Sequence, residues 1–344
     1  PLDPLLENAA LRTLYAVGSA LNGTLSADML RNLTRLERLA VSSTRVQVAF
    51  TLDDVARGGV FARGVALRAL ELNGHDQRGA SLPDCTVAGA AAVNASNAVL
   101  CVRLERLHVS GANVTATAAR FASLGNVATL KELVVSDNAG IHGALHELAA
   151  PLPTIEVLQL RNCVNVGGTV PPMLGKSFRR LDLSNTRVSG TLPASALSPH
   201  TWMTELLLSN ARFSGTLPTS IGRPHMSHLR LDGNDFEGVL PTEMARMTKL
   251  RSLNLTGNAR LNRTLVVAVR NLNAPLPHIC MQFPEQLQCV AVAPPDIEFA
   301  GPGFANVLGN GLFGGGAGGA AALIGVIVAI VVLVLALVAC VVGA

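Results

Sequence analysis

The sequence predicts an α/β-type solenoid built on a parallel sheet, because one leucine pattern recurs along most of the chain. The pattern Leu-x-x-Leu-x-Leu-x-x-Asn/Cys/Thr, with other residues at some of its positions, recurs ten times between Leu14 and Leu255. From Leu133 onward the step between copies is 23 to 25 residues, the period of a long leucine-rich repeat. One turn buries its leucines only when it stacks on its neighbours. We therefore predict a leucine-rich-repeat horseshoe with a parallel concave sheet and a mostly irregular or short-helical convex side.

The Leu-x-Leu core of each copy predicts a short strand, because alternate side chains of a strand point to opposite faces. Leu181 and Leu183 are then expected inside, with Arg180, Asp182 and Ser184 outside. The first leucines of the ten cores are Leu14, Leu39, Leu70, Leu107, Leu133, Leu158, Leu181, Leu206, Leu229 and Leu253.

The second half of each copy predicts a tight turn followed by a change of direction. Gly-Thr-Leu-Pro at 190–193 and 215–218 places a permissive glycine before a proline that ends hydrogen bonding on its edge. After each strand comes an inward position, where an asparagine could bond the backbone of neighbouring turns. This ladder position holds Asn138, Cys163, Thr186, Ala211, Asn234 and Asn258. Because alanine makes no such bond, the turn at Ala211 is expected to be looser.

The earlier copies are longer, which predicts insertions within the solenoid. The step is 31 residues from Leu39 to Leu70 and 37 from Leu70 to Leu107. We expect a solenoid over 1–275 with insertions near 45–65 and 73–103, a cap over 276–295, a Gly-rich stem over 296–320, and a hydrophobic tail, forming a helix, over 321–344.

Composition disfavours several classes of function. The 344 residues are 49% hydrophobic but only 3% aromatic, so aliphatic side chains must form the core. The net charge is +4, and no Lys/Arg cluster interleaves with aromatic residues, which argues against nucleic-acid binding. No nucleophile, base and oxyanion donor converge, and no metal-binding spacing occurs. We predict a non-enzymatic protein with no metal and no cofactor.

The C-terminal tail predicts membrane attachment. Residues 321–344 carry no charge and are long enough to cross a bilayer. No Lys or Arg follows Glu298, although a spanning helix normally has basic residues on its cytoplasmic side. This favours a glycolipid-anchor signal with Gly309, Asn310 and Gly311 as its small residues; a retained single-pass helix is the alternative. The chain starts at Pro1, so a signal peptide has been removed or the sequence is a fragment.

Sequons and cysteines favour the secretory route. Six Asn-x-Ser/Thr sequons occur, at Asn22, Asn32, Asn94, Asn113, Asn254 and Asn262. Cys280 and Cys289 flank a loop after the last repeat, and Cys85 and Cys101 bracket an insertion. In an oxidising compartment each pair is expected to form a disulfide, with buried reduced thiols as the alternative. We expect a location on the extracellular face of the plasma membrane.

The outward strand positions supply a candidate binding surface. They form a row of mixed charge on a rigid sheet, which suits a protein or glycan partner; an ordinary solvated face is the alternative for any one of them. The candidates are Gln159, Arg161, Arg180, Asp182, Glu205, His228, Arg230 and Asp232. Because a glycan at Asn254 would obstruct the C-terminal end, binding is expected to centre on the middle turns.

The run from Leu181 to Pro193, Leu-Asp-Leu-Ser-Asn-Thr-Arg-Val-Ser-Gly-Thr-Leu-Pro, resembles the repeat of the leucine-rich-repeat surface antigens of trypanosomatid parasites, of the promastigote surface antigen type. The resemblance covers about 11–290 as architecture and about 155–245 as close motif. It implies a glycolipid-anchored or shed protein that interacts with host receptors or complement. Plant receptor-like proteins share the Gly-x-Leu-Pro half-repeat, but they carry upstream cysteine caps and a basic cytoplasmic end, which this sequence lacks.

Together these observations predict a cell-surface leucine-rich-repeat glycoprotein that binds a protein or glycan partner through its concave face, in adhesion or host interaction. The alternatives are a structural coat component with no specific ligand and a single-pass receptor-like protein.

Overall fold

The computed structural model describes residues 10–18, 22–42, 45–50, 52, 67–75, 80–83, 85, 103–172, 178–198, 202–268 and 277–292. The chain divides into two compact units, Pro1–Ala293 and Pro294–Ala344. All of the described residues belong to the first unit. The predicted stem, the hydrophobic tail with its helix, and the anchor residues Gly309, Asn310 and Gly311 lie outside them.

Short strands dominate the described part of the chain. In chain order they are β1 (Thr13–Val17), β2 (Asn22–Leu25), β3 (Arg38–Ser42), β4 (Arg45–Val48), β5 (Ala69–Glu71), β6 (Arg106–His108), β7 (Glu132–Val134), β8 (His142–Ala144), β9 (Val157–Gln159), β10 (Asn165–Gly167), β11 (Arg180–Asp182), β12 (Glu205–Leu207), β13 (Ser214–Thr216), β14 (His228–Arg230), β15 (Asp235–Val239), β16 (Ser252–Asn254), β17 (Arg260–Asn262), β18 (Thr264–Ala268) and β19 (Gln288–Val292).

The main sheet has ten strands, one from each copy of the repeat. Its order is β1-β3-β5-β6-β7-β9-β11-β12-β14-β16, and every neighbouring pair is parallel. The register matches leucine with leucine, for example Leu181 with Leu158 and with Leu206. This confirms the predicted leucine-rich-repeat solenoid. We call the sheet surface opposite the core the concave face.

The core lies behind this sheet, where both leucines of each Leu-x-Leu pair are buried. Leu181 is 1% exposed and Leu183 is 0% exposed. Phe121, Phe178, Phe213 and Phe236 are also fully buried, and the rings of Phe213 and Phe236 stack with centroids 6.0 Å apart. One continuous aliphatic core therefore runs through the stacked turns, as the composition required.

The opposite side of the turns carries small sheets and short helices. Further parallel sheets are β2-β4, β8-β10, β13-β15-β17 and β18-β19. The α-helices are α1 (Ala27–Arg31), α2 (Ala118–Leu124), α3 (Leu145–Ala149), α4 (Ala194–Leu197) and α5 (His278–Gln282); the 3-10 helices are η1 (Thr219–Ile221) and η2 (Thr242–Arg246). Residues 45–48, expected within an insertion, form β4 in register with β2.

The Gly-x-Leu-Pro half-repeat places a proline at the start of these short helices. Pro193, Pro218 and Pro241 are the N-cap residues of α4, η1 and η2, with φ of −67°, −74° and −61°. Proline suits a helix start because its missing N–H would have no partner inside the helix. The proline therefore turns the chain from the small sheet into the convex helix.

A buried asparagine ladder links the turns, as the sequence predicted. Asn138 is fully buried, and its Nδ2 donates to the carbonyls of Val109, Val135 and Ser136 at 2.8–3.0 Å. Its Oδ1 accepts from the N–H groups of the preceding turn, including that of Val114 at 2.9 Å. One amide thus satisfies backbone groups on two successive turns.

The ladder position holds alanine at Ala211 and also at Ala112, the equivalent residue of the β6 turn, and each donates its N–H to the asparagine of the following turn. Asn234 Oδ1 accepts from the N–H groups of Ala211 and Phe213 at 3.1 and 2.9 Å, so the Ala211 turn is bonded from the turn that follows. The expectation that the Ala211 turn is looser stays a prediction. The missing amide concerns the preceding turn, where the Thr186 hydroxyl donates to the Leu183 carbonyl at 2.7 Å.

The C-terminal end of the solenoid is closed by a disulfide. Cys280, in α5, and Cys289, in β19, are bonded, with their Cα atoms 5.8 Å apart. Cys85 is buried and disulfide-bonded, whereas Cys101, its predicted partner, lies outside the described residues. Cys163 is buried with a free thiol. No helix in the described ranges is long and apolar enough to cross a membrane.

Candidate functional site: the concave face

The parallel register brings the predicted binding residues into two rows across the concave face. Arg180, Glu205 and His228 occupy matched positions on β11, β12 and β14. Gln159 and Asp182 form part of a second row that continues through Leu207, Arg230 and Asn254. Arg161 and Asp232 lie two residues after the last residues of β9 and β14. All eight candidates therefore belong to one surface over four consecutive turns.

Two of the candidates neutralise each other. Arg180 Nε donates to Glu205 Oε2 at 2.6 Å, and the two side chains are 40% and 18% exposed. His228 Nδ1 lies 2.9 Å from the hydroxyl of Ser227. The row through Arg180 is therefore internally bonded, so it offers a partner a polar surface with little net charge.

Asp182 was predicted to be an outward binding residue, but the structure buries it. It lies on the concave face but is only 5% exposed, between Gln159 and Leu207 on the adjacent strands. Its Oδ1 accepts from the N–H of Ser184 at 3.0 Å. Burial raises the pKa of its carboxyl, and the bond to Ser184 and the nearby Arg161 and Arg180 offset this only in part. Asp182 therefore shapes the floor of the face and is not available for direct contact.

Arg161 and Arg230 are the accessible charges of this region. Both are exposed, and neither forms a salt bridge with a described residue. Asp232, on the same turn as Arg230, accepts from the Ser209 hydroxyl at 2.8 Å. Leu207 is half-buried beside Arg230. The middle of the concave face thus combines two exposed arginines that form no salt bridge among the described residues with a partly apolar floor.

The first half of the same face carries a network of ionisable side chains that was not predicted from the sequence. On β6, His108 Nε2 lies 3.2 Å from Glu132 Oε2, and His108 Nδ1 lies 3.8 Å from Glu71 Oε1. Arg106 Nε lies 3.2 Å from Glu132 Oε1. These residues occupy the same outward positions as the predicted ones, so the repeat alignment could have found them. These side chains pair with one another, whereas Arg161 and Arg230 in the later turns have no salt-bridge partner among the described residues.

A second amide ladder, also missed, runs beside the buried one. Nδ2 of Asn162, Asn185 and Asn210 donates to Oδ1 of Asp137, Asn162 and Asn185 respectively, at 2.5, 2.6 and 3.0 Å. All four residues have φ between +53° and +60°, a left-handed conformation that asparagine and aspartate tolerate better than most residues. The signal in the sequence is the polar residue that directly precedes each buried ladder position.

The structure exposes four of the predicted glycosylation sites. Asn22, Asn32, Asn113 and Asn262 are exposed, whereas Asn94 lies outside the described residues. Asn254 is half-buried on the concave face, beside Arg230, and its Oδ1 accepts from the Thr256 hydroxyl at 2.8 Å. A glycan at Asn254 would therefore stand next to the exposed arginine of β14.

The described residues do not assemble a recognisable reactive centre. No group of three or more His, Cys, Asp or Glu among them is placed to hold a metal ion. Burial raises the pKa of the Cys163 thiol to about 12, which keeps this free cysteine protonated at neutral pH and makes it a poor nucleophile.

Comparisons with solved structures agree on the fold. The Arabidopsis receptor kinase HAESA, solved in complex with the peptide hormone IDA and the co-receptor SERK1, is 23% identical, with a TM-score of 0.56 over 84% of this chain and 51% of its own. A plant ice-binding protein is 17% identical, with a TM-score of 0.55 over 82% of this chain and 81% of its own. A leucine-rich-repeat protein of Leptospira interrogans is 17% identical, with a TM-score of 0.45 over 86% and 77%.

The first two likenesses agree with the repeat and the ten-stranded parallel sheet on the fold, a leucine-rich-repeat solenoid. It spans about half the length of the HAESA chain. Neither a family model nor a curated protein matches the sequence.

Proposed function

We propose that this protein binds an extracellular protein or peptide partner through the middle turns of its concave face. The observation that carries the proposal is a pair of exposed arginines without salt bridges among the described residues, Arg161 and Arg230, on a hydrogen-bonded sheet. Arginine is enriched in protein interfaces because its planar guanidinium makes bidentate hydrogen bonds. The HAESA structure contains a peptide hormone, which supports this use of the fold.

The charge pattern indicates what the partner presents. The two arginines lie near Gln159 and Leu207. The candidate carboxylates of the same surface have other surroundings: Asp182 is buried, Glu205 pairs with Arg180, and Asp232 accepts from the Ser209 hydroxyl. A partner segment that carries carboxylates at both ends of an apolar stretch would complement this surface. The proposed role is non-enzymatic.

We further propose that the protein acts at the cell surface, in adhesion or host interaction. The exposed sequons and the Cys280–Cys289 disulfide support an extracellular environment. The apolar segment 321–344 supports attachment, by a lipid at Gly309 to Gly311 or by a single-pass helix. The motif at 181–193 supports a relationship to trypanosomatid surface antigens. Release of the protein from intact cells by phosphatidylinositol-specific phospholipase C would support the lipid anchor, and its retention would contradict it.

The binding proposal is tested by screening the protein against a library of purified extracellular proteins and peptides. We expect a saturable 1:1 partner whose affinity falls at least about tenfold in the double variant Arg161→Glu/Arg230→Glu, since each lost charged hydrogen bond costs roughly 1.5–3 kcal/mol.

The matched control is Arg187→Glu/Arg212→Glu, which makes the same change of charge at two exposed arginines outside the concave face. We expect the control to bind as the wild type does. Equal loss in both double variants, or the absence of any saturable partner, would contradict the proposal.

A further inference from the structure

A row of mostly charged residues crosses the N-terminal ends of the strands of the main sheet. Each member lies two residues before the first inward leucine of its strand. Its members are Arg12, Glu37, Arg68, Glu105, Lys131, Glu156, Arg179, Thr204, Ser227 and Arg251. The sign alternates through the first six turns. Salt bridges join Arg12 to Glu37 at 2.8 Å, Arg68 to Glu105 at 2.9 Å and Lys131 to Glu156 at 2.9 Å. After Glu156 the row contains no carboxylate, so its last turns carry uncompensated positive charge.

A cleft opens where the carboxylates stop. It has a volume of about 810 Å³, and its lining includes Arg179, Trp202, His225, Lys249, Arg251 and His278. No Asp or Glu is among its described lining residues. In addition, the described residues provide no salt-bridge partner for Arg179, Lys249 or Arg251. A concave site lined by one sign of charge concentrates ligands of the opposite sign.

An aromatic ring stands open at this cleft. Trp202 stacks on His225 with ring centroids 4.5 Å apart and an interplanar angle of 27°. Its side chain nevertheless remains 67% exposed. Because His225 covers one face of the indole, the other face is the one left open to solvent. The indole thus offers a large contact surface, apolar with a polar N–H, directly beside the cations of the cleft.

We propose that this cleft binds an anionic saccharide, such as a sulfated glycosaminoglycan segment. Arg179, Lys249 and Arg251 bind its sulfate or carboxylate groups, and the open face of Trp202 stacks against the C–H face of a sugar ring. An acidic peptide would satisfy the three cations but would leave the flat indole face without a matching planar surface, so the saccharide fits the whole lining better. The volume lies within the range of ligand pockets, roughly 300–1,000 Å³.

The site is separate from the proposed protein-binding surface. Arg179 and Arg251 lie just before β11 and β16, and Lys249 follows the convex helix η2. Arg161 and Arg230, by contrast, project from the concave face. The protein would therefore hold a saccharide and a protein partner at different places on the same turns.

The test measures binding of a heparin-derived octasaccharide to the full chain by calorimetry at 0.15 M salt, with the desulfated octasaccharide and a poly-glutamate peptide as comparison ligands. We expect saturable binding of the sulfated octasaccharide, at least ~10-fold weaker in Lys249→Glu/Arg251→Glu, as loss of a charged hydrogen bond implies. Trp202→Ala should weaken binding about two- to tenfold, the range expected for one aromatic stacking contact.

The control Arg187→Glu/Arg212→Glu makes the same change of charge elsewhere and should stay within about twofold of the wild type, because salt screens distant charges. Three results would overturn the proposal: no binding by the wild type, equal weakening in the control, or poly-glutamate binding that is as tight as saccharide binding and insensitive to Trp202→Ala. Thermal unfolding of each variant checks that these exposed substitutions leave the fold intact.

Discussion

Each buried ladder asparagine replaces hydrogen bonds that the backbone loses where a strand ends. Asn234 donates to the carbonyls of Leu208, Leu231 and Asp232 and accepts from two N–H groups of the preceding turn. Because these groups are buried, water does not satisfy them when the amide is removed.

We expect Asn234→Ala to lower the free energy of unfolding by about 3–5 kcal/mol, since several buried polar groups lose their partner at about 1–3 kcal/mol each. The matched control is Asn165→Ala, which removes an exposed bond from Asn165 Nδ2 to the Ala139 carbonyl and should cost no more than about 1 kcal/mol. Urea denaturation measures both variants. Equal costs would contradict a special role of the buried ladder.

Asp182 makes stability depend on pH. Burial is the main cause that raises the pKa of its carboxyl, so the folded state holds the proton more tightly than the unfolded state. The stability that this proton contributes is fully present below the ordinary pKa of aspartate, and it is lost as the pH rises through the raised folded value.

Asp182→Asn keeps an oxygen acceptor for the Ser184 N–H but does not ionise. We therefore expect the free energy of unfolding of the variant, relative to the wild type, to be higher at pH 7 than at pH 3. Urea denaturation at the two pH values measures this difference. A relative stability that is unchanged, or lower at pH 7, would show that the carboxylate is well compensated in the fold.

The inward direction of the leucines could be predicted from sequence because it depends only on the two-residue period of a strand. The burial of Asp182 could not, since it depends on Gln159 and Leu207 in neighbouring strands. The amide ladder from Asp137 to Asn210 was missed for a related reason: it requires a left-handed backbone at each rung, which the residue types allow but do not specify.

At the level of elements, the C-terminal cap is held by a covalent bond. The Cys280–Cys289 disulfide joins α5 to β19, and β19 pairs with β18 as the last parallel pair of the described chain. Cys280 is 8% exposed, and Ile279 and Leu287 beside the disulfide loop are buried as well. The cap therefore covers the apolar end of the last turn.

We expect Cys280→Ser/Cys289→Ser to lower the free energy of unfolding by about 2–3 kcal/mol, the chain-entropy value for a loop of this length. The control Met281→Ser alters a neighbouring residue that is 62% exposed and should have little effect. Hydrogen exchange should show faster opening of β18 and β19 in the double-serine variant. Unchanged stability would mean that packing alone holds the cap.

The elements themselves were predictable to different degrees. Strands such as β11 and β12 follow from the repeat, because the pattern and the structure share one register. The boundary of the first insertion was less accessible, since the strand β4 carries no Gly-Leu-Pro signal and is defined by its pairing with β2.

At the scale of the whole described solenoid, charge is distributed unevenly. Many charges of the first turns are paired within the protein, both on the concave face around Glu132 and across the N-terminal ends of the strands, although Arg38 on β3 is exposed without a salt bridge among the described residues. The later turns leave Arg161, Arg230, Lys249 and Arg251 exposed. Both proposed binding sites therefore lie in the C-terminal half of the solenoid, although its repeats are built on the same pattern throughout.

The turns form one stacked solenoid, with Leu181 inside and its strand neighbours on the concave face. Hydrogen exchange of Leu181→Asp tests it most directly, because an unpaired buried carboxylate is very costly and each turn depends on its neighbours. We expect the amides of β9, β11, β12 and β14 to lose protection together, on both sides of the substitution. Wild-type protection, or faster exchange confined to β11, would contradict the account.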